Sequence, residues 1–66
     1  MKINRYRFQT AAMESGKGYR NIAREAHMDV PTLLRIEREG VCSHHQRNAL
    51  AKAVGVDPSE LMLEDF

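Results

Sequence analysis

Residues 23–39 read AREAHMDVPTLLRIERE. Apolar residues of helical spacing flank a polar break at His27 and Asp29. Ile22, Ala23 and Ala26 form a compact stripe before the break, and Leu33 and Ile36 form one after it. The pattern predicts two short helices joined by a tight turn. The first runs from Tyr19 to about His27, and small Ala23 and Ala26 let a neighbouring helix approach closely. The second starts at Asp29, whose carboxylate suits an N-cap because it accepts a bond from a free first-turn amide. Pro31 then takes the second helical position, which is tolerable because first-turn amides lack an intrahelical partner. Gly40 is a natural stop. The opening turn of this second helix, Val-Pro-Thr-Leu-Leu, is poor in hydrogen-bonding groups.

Helical spacing recurs on both sides of this stretch. A first helix is expected from Arg5 to Ser15, capped by Asn4, with Phe8, Ala11, Ala12 and Ser15 on one narrow face. SGKG (15–18) ends it, because two glycines do not sustain a helix. SHHQ (43–46) is a Ser-x-x-Gln capping box opening a helix through Leu50, Ala51 and Val54 to Gly55. DPSE (57–60) combines an Asp N-cap, Pro at the first position and Glu three after the cap. Leu61, with Met62 or Leu63, closes the core, and Glu64-Asp65-Phe66 is expected to fray. The prediction is an all-α domain of five helices over residues 1–66. Its expected core is Phe8, Ile22, Ala23, Ala26, Met28, Leu33, Ile36, Leu50, Ala51, Val54, Val56 and Leu61.

A chain of 66 residues supports one small domain, with no repeat, low-complexity segment or linker. A domain of this size buries only ~60% of the surface its unfolded chain exposes. The single cysteine, Cys42, allows no intrachain disulfide and fits a reducing cytoplasm. No apolar run is long enough to span a membrane, and the basic opening MKINRYRFQT is not followed by an apolar signal stretch. We therefore expect a cytoplasmic protein without a membrane partner. The formal net charge of +1 hides an asymmetry. Residues 1–24 hold six basic side chains against Glu14 alone, or +5, while residues 41–66 hold two against four acidic ones, or −2. A basic half suggests a polyanion bound on one side. Ordinary solvated charge is the alternative.

At this point the residues resemble a known family. NIAREAHMDVPTLLRIEREG (21–40) is similar to the helix-turn-helix of the phage-repressor and Cro type: an apolar residue then Ala, a turn, a capped helix, and apolar-x-x-apolar-Glu before Gly. LAKAVGVDPSEL (50–61) resembles the closing stretch of that family. The likeness covers nearly the whole chain, most strongly Ile22 to Leu61. It implies a compact five-helix, lambda-repressor-like DNA-binding domain with the helix-turn-helix at helices two and three, the third entering the DNA major groove. The chain departs from the pattern in the turn, where Gly is usual and His27 stands. An Arg on the first helix that often pairs the Glu matching Glu37 is replaced by Ala12, leaving Arg5 or Arg7 as candidate partners. Tyr19 takes the first position of helix two, often a phosphate-holding Gln, and the Gly40–Ser43 loop is short.

The resemblance assigns base reading to Val30, Pro31, Thr32, Leu34 and Arg35. Arg35 is the strongest candidate, since a guanidinium bridges guanine O6 and N7, while Val30 and Leu34 suit thymine methyls. The competing readings are an ion pair of Arg35 with Glu39, four residues on, and an apolar patch at Val30 and Leu34 for a protein partner. Phosphate contacts fall to Lys17, Tyr19, Arg20, Arg38, Ser43 and His44, several near helix N-termini. Cys42, His44 and His45 lack the separated ligand pairs of a structural zinc site. A Cys–His nucleophile has little room for a substrate pocket in so short a chain. The expectation is a sequence-specific binder of double-stranded DNA, a small bacterial or phage regulator of repressor type. It would have no catalysis, no cofactor and no metal; the resemblance implies a homodimer on paired half-sites, with a monomer as the alternative because only the tail beyond Leu61 could serve as a dimer contact. The alternative is a protein-interaction module on the same fold, such as an antitoxin or the partner of a regulator or antirepressor.

Overall fold

The computed structural model describes residues 1–63. Four α-helices follow in order: α1 (Arg5–Ser15), α2 (Tyr19–Glu25), α3 (Val30–Glu39) and α4 (His44–Val54). A 3-10 helix, Pro58–Leu61, comes last. The fold is all-helical, but the expected fifth α-helix is this single 3-10 turn of four residues. The predicted start is right: the Asp57 side chain caps Ser59, and Glu60 reaches back to the Asp57 amide. The helix fails to propagate because Leu61 is drawn fully into the core and Met62 turns extended to pair with Ile3. The expected fraying of residues 64–66 lies outside the described residues.

The capping signals account for most helix ends. Asn4 accepts from the Arg7 amide at 3.1 Å, and Asp29 accepts from the Thr32 amide at 3.1 Å. Ser43 and Gln46 form a reciprocal box, each bond 3.0 Å. Gly40 closes α3 in the left-handed conformation, at φ +71°. A Cβ there would also stand 2.7 Å from Arg5 Cδ, so a larger residue would have to displace the Arg5 side chain as well. Helix α2 is shorter than expected: it ends at Glu25, and the chain leaves it through Ala26 and a left-handed His27.

Phe8, Ile22, Leu33, Ile36, Leu50 and Leu61 fill the centre, all fully buried. Ala23, Ala26, Ala51 and Val54 pack around them as expected. Met28 and Val56 do not join the buried set; they lie half-buried against it. Five further hydrophobic residues are buried: Ile3, Ala11, Ala12, Cys42 and Ala53. Ile3 belongs to a feature the sequence reading lacks. The N-terminal segment runs extended between the α3–α4 connection and Met62, just after the 3-10 helix. Lys2 bridges to Val41 and Ile3 to Met62. The Ile3 amide donates to the Gly40 carbonyl and the Asn4 amide to the Leu61 carbonyl, both at 2.8 Å. This strap holds the far end of α3 against the rest of the molecule.

Candidate nucleic-acid interface

The connection between α2 and α3 occupies four residues, Ala26 to Asp29. His27 has φ +59°, the only positive φ of a non-glycine residue among the described residues. Because the chain reverses there, the Met28 amide donates back to the Ala23 carbonyl at 2.9 Å, and Asp29 is delivered to its capping position. Hydrogen bonding from Thr32 holds the Asp29 carboxyl below the usual carboxylate range, and the Arg35 charge adds to the effect. A charged cap at this end also complements the helix dipole.

Helix α3 divides cleanly into faces. Leu33 and Ile36 are fully buried, and Val30 and Glu37 are half-buried beside them. Pro31, Leu34, Arg35 and Arg38 face solvent at the spacing of one helical face. Thr32 is half-buried at the flank. Three of the five expected base-reading residues, Pro31, Leu34 and Arg35, therefore share an accessible surface, while Thr32 is half-buried and Val30 gives part of its side chain to packing against the core. The ion pair of Arg35 with Glu39 is not formed; Glu39 meets Arg38 instead, at 3.4 Å. Among the described residues the Arg35 guanidinium makes no hydrogen bond and no ion pair.

The expected phosphate-contacting residues fare differently from one another. Lys17 is engaged inside the molecule: its ammonium donates to Glu25 Oε1 at 2.9 Å and to the Ala53 carbonyl at 2.7 Å. It fastens the α1–α2 connection to the ends of α2 and α4. Ser43 is engaged in its capping box through both its amide and its hydroxyl oxygen, leaving the hydroxyl proton to donate elsewhere. Arg20 and His44 are exposed, and Arg38 is exposed apart from its weak pairing with Glu39. Tyr19, at the start of α2, is 39% exposed. The adjacent Glu37 carboxylate raises its phenol above the ordinary value, with burial adding to the effect, so the hydroxyl remains a donor.

Glu37 itself was expected to find Arg5 or Arg7. Arg5 does reach Glu37, but its Nε donates to the backbone carbonyl at 2.9 Å rather than to the carboxylate. The carboxylate receives only a long contact from Gln9 Nε2, 3.5 Å to Oε1, and Oε2 is buried without a hydrogen-bond partner. Tyr19 approaches the same carboxylate, and the pull of Glu37 on its hydroxyl proton is the largest cause of the raised phenol, although the contact falls short of full hydrogen-bond geometry. Gln9 and the Glu37–Tyr19 proximity were missed from the sequence. The available signal was Gln9 lying one helical turn before Ala12 on the same face of α1.

Nothing in the family models, curated proteins or solved structures matches this chain. Cys42 is buried, and burial pushes its thiol up, away from the thiolate that nucleophilic or metal chemistry needs. Among the described residues, no three His, Cys, Asp or Glu side chains converge as a metal site. No described helix is long and apolar enough to cross a membrane.

Proposed function

We propose that this chain is a sequence-specific, double-stranded DNA-binding domain of helix-turn-helix type. In this reading α2 and α3 form the motif, α3 lies in the major groove, and the protein is a small cytoplasmic regulator of repressor type rather than an enzyme. The observation that carries it is Arg35, an exposed guanidinium without an intramolecular partner among the described residues. It projects from a helix whose opposite face is locked into the core by Leu33 and Ile36. A rigid helix presenting a free guanidinium is suited to guanine O6 and N7. Thr32 supplies a second hydrogen-bonding group, and Val30, Pro31 and Leu34 supply apolar contact. Tyr19, Arg20, Arg38, Ser43 and His44 hold phosphates. Lys17 keeps its internal partners and supports the scaffold. Two copies on paired half-sites would match the small reach of one domain.

The test is titration of duplex DNA at increasing salt. Each neutralised phosphate is expected to steepen the log–log slope by ~0.9. Arg20→Ala should weaken binding to all sequences and flatten that slope by about one phosphate. Binding without a salt slope, and without a preferred sequence from a random pool, would sink the reading. A second reading has one observation in its favour: Leu34 is 44% exposed beside Pro31, an apolar pair that also suits a protein partner. Such a module would protect Leu34 from solvent in a protein complex and show no preferred DNA site.

A further inference from the structure

The inference drawn here rests on the DNA-binding reading and names the class of sequence that the site takes. The outward positions of α3 are Pro31, Leu34, Arg35 and Arg38, all exposed. The first two carry no side-chain hydrogen-bonding group, and proline lacks even the backbone N–H. Half-buried Val30 extends the same apolar edge toward the core. Apart from Thr32, half-buried at the flank, a base edge lying against the first turns of α3 therefore meets carbon. In the major groove adenine, guanine and cytosine offer donors and acceptors, and thymine alone adds a methyl group. An apolar side chain over a donor or acceptor leaves that group unsatisfied, whereas over a methyl it removes apolar surface from water.

We propose that Pro31 and Leu34 read thymine methyls and Arg35 reads a guanine, so that the preferred half-site is a thymine step beside a guanine. The spacing agrees. Three residues advance an α-helix by about 4.5 Å, against a rise of about 3.4 Å for one base step, so Pro31 and Leu34 fall on neighbouring base pairs. Arg35 follows Leu34 directly, and its longer side chain reaches the next pair. The unpaired Arg35 charge on this face, with Arg38 beyond it weakly paired to Glu39, suits the negative potential of the groove better than an apolar protein surface.

The experiment uses the full chain. Bound sequences are selected from a random duplex pool, and each thymine of the selected site is then replaced by deoxyuridine, which removes only the methyl. Each contacted methyl should account for about a fourfold loss of affinity. Leu34→Ala, a change at an exposed position, should abolish the thymine–deoxyuridine difference at one base pair while leaving the salt slope unchanged. Arg35→Ala should cost about tenfold in preference for the guanine. Selected sites without thymine overturn the inference, as does equal affinity for thymine and deoxyuridine duplexes. So does a full thymine preference that survives Leu34→Ala at every position. In each of these cases a normal salt slope leaves the DNA-binding reading standing. Absence of salt-dependent binding to any duplex overturns both.

Discussion

His27 adopts the left-handed conformation that its turn requires, at φ +59°. An L-residue pays a steric penalty there because Cβ crowds the neighbouring carbonyl, and glycine escapes it. The imidazole is exposed, so its removal leaves no cavity. His27→Gly is therefore expected to stabilise the domain by ~1 kcal/mol, read as a higher urea midpoint at unchanged slope. An unchanged or lower midpoint would show that the histidine ring contributes more than its backbone strain costs. The position was legible through the resemblance to the repressor-type turn, where glycine is usual and His27 stands. Glu37 was only half legible. Its need for a partner followed from its place beside Leu33 and Ile36, but whether Arg5 would reach the carboxylate or the carbonyl depends on rotamers that spacing does not encode.

At the scale of the element, the boundaries followed local chemistry. Asn4, Asp29, Ser43 and Asp57 each cap as their side chains predict, because a cap is decided within three residues. The solvent face of α3 was legible for the same reason, since helical periodicity assigns Pro31, Leu34, Arg35 and Arg38 to one side once Leu33 and Ile36 are inside. The length of the last element was not, because the fate of Met62 is set by Ile3 across the molecule. The caps carry a pH signature. The Asp29 carboxyl is held below its ordinary range by Thr32, so its stabilising effect is complete above the unfolded-state pKa and is lost as pH falls through the lower folded value. Asp29→Ala should therefore lower stability at neutral pH, with the gap to wild type closing only under acid conditions. Melts of both proteins across the acid range check this. A gap of constant size would show that Asp29 acts through something other than its charge.

For the whole molecule, the decisive contacts are those that join distant segments, and here the sequence was least informative. Ile3 sits in MKINRYR, a stretch that reads as a basic arm. Only the pairing of Lys2 with Val41 and Ile3 with Met62, at large sequence separation, turns it into a strap. Lys17 is a parallel case: its bonds to Glu25 and Ala53 join segments 8 and 36 residues away, so it read as a free cation. Ile3 is 2% exposed, and truncating a buried aliphatic side chain to alanine costs ~2–5 kcal/mol. Native stability amounts to only ~0.05–0.15 kcal/mol per residue, so for a chain of 66 residues that loss is a large share of the total. Ile3→Ala is thus expected to leave a marginal fold, with a urea midpoint reduced by about half or more. Because the strap lies apart from the outward face of α3, the molecules that remain folded should keep the DNA preference proposed for that face. Titrations at low temperature, corrected for the folded fraction, would then return the wild-type site with lower apparent affinity. A wild-type urea midpoint would show that the strap is dispensable. A changed site at full folded fraction would mean instead that the strap sets the orientation of α3, through the Gly40 carbonyl that Ile3 holds.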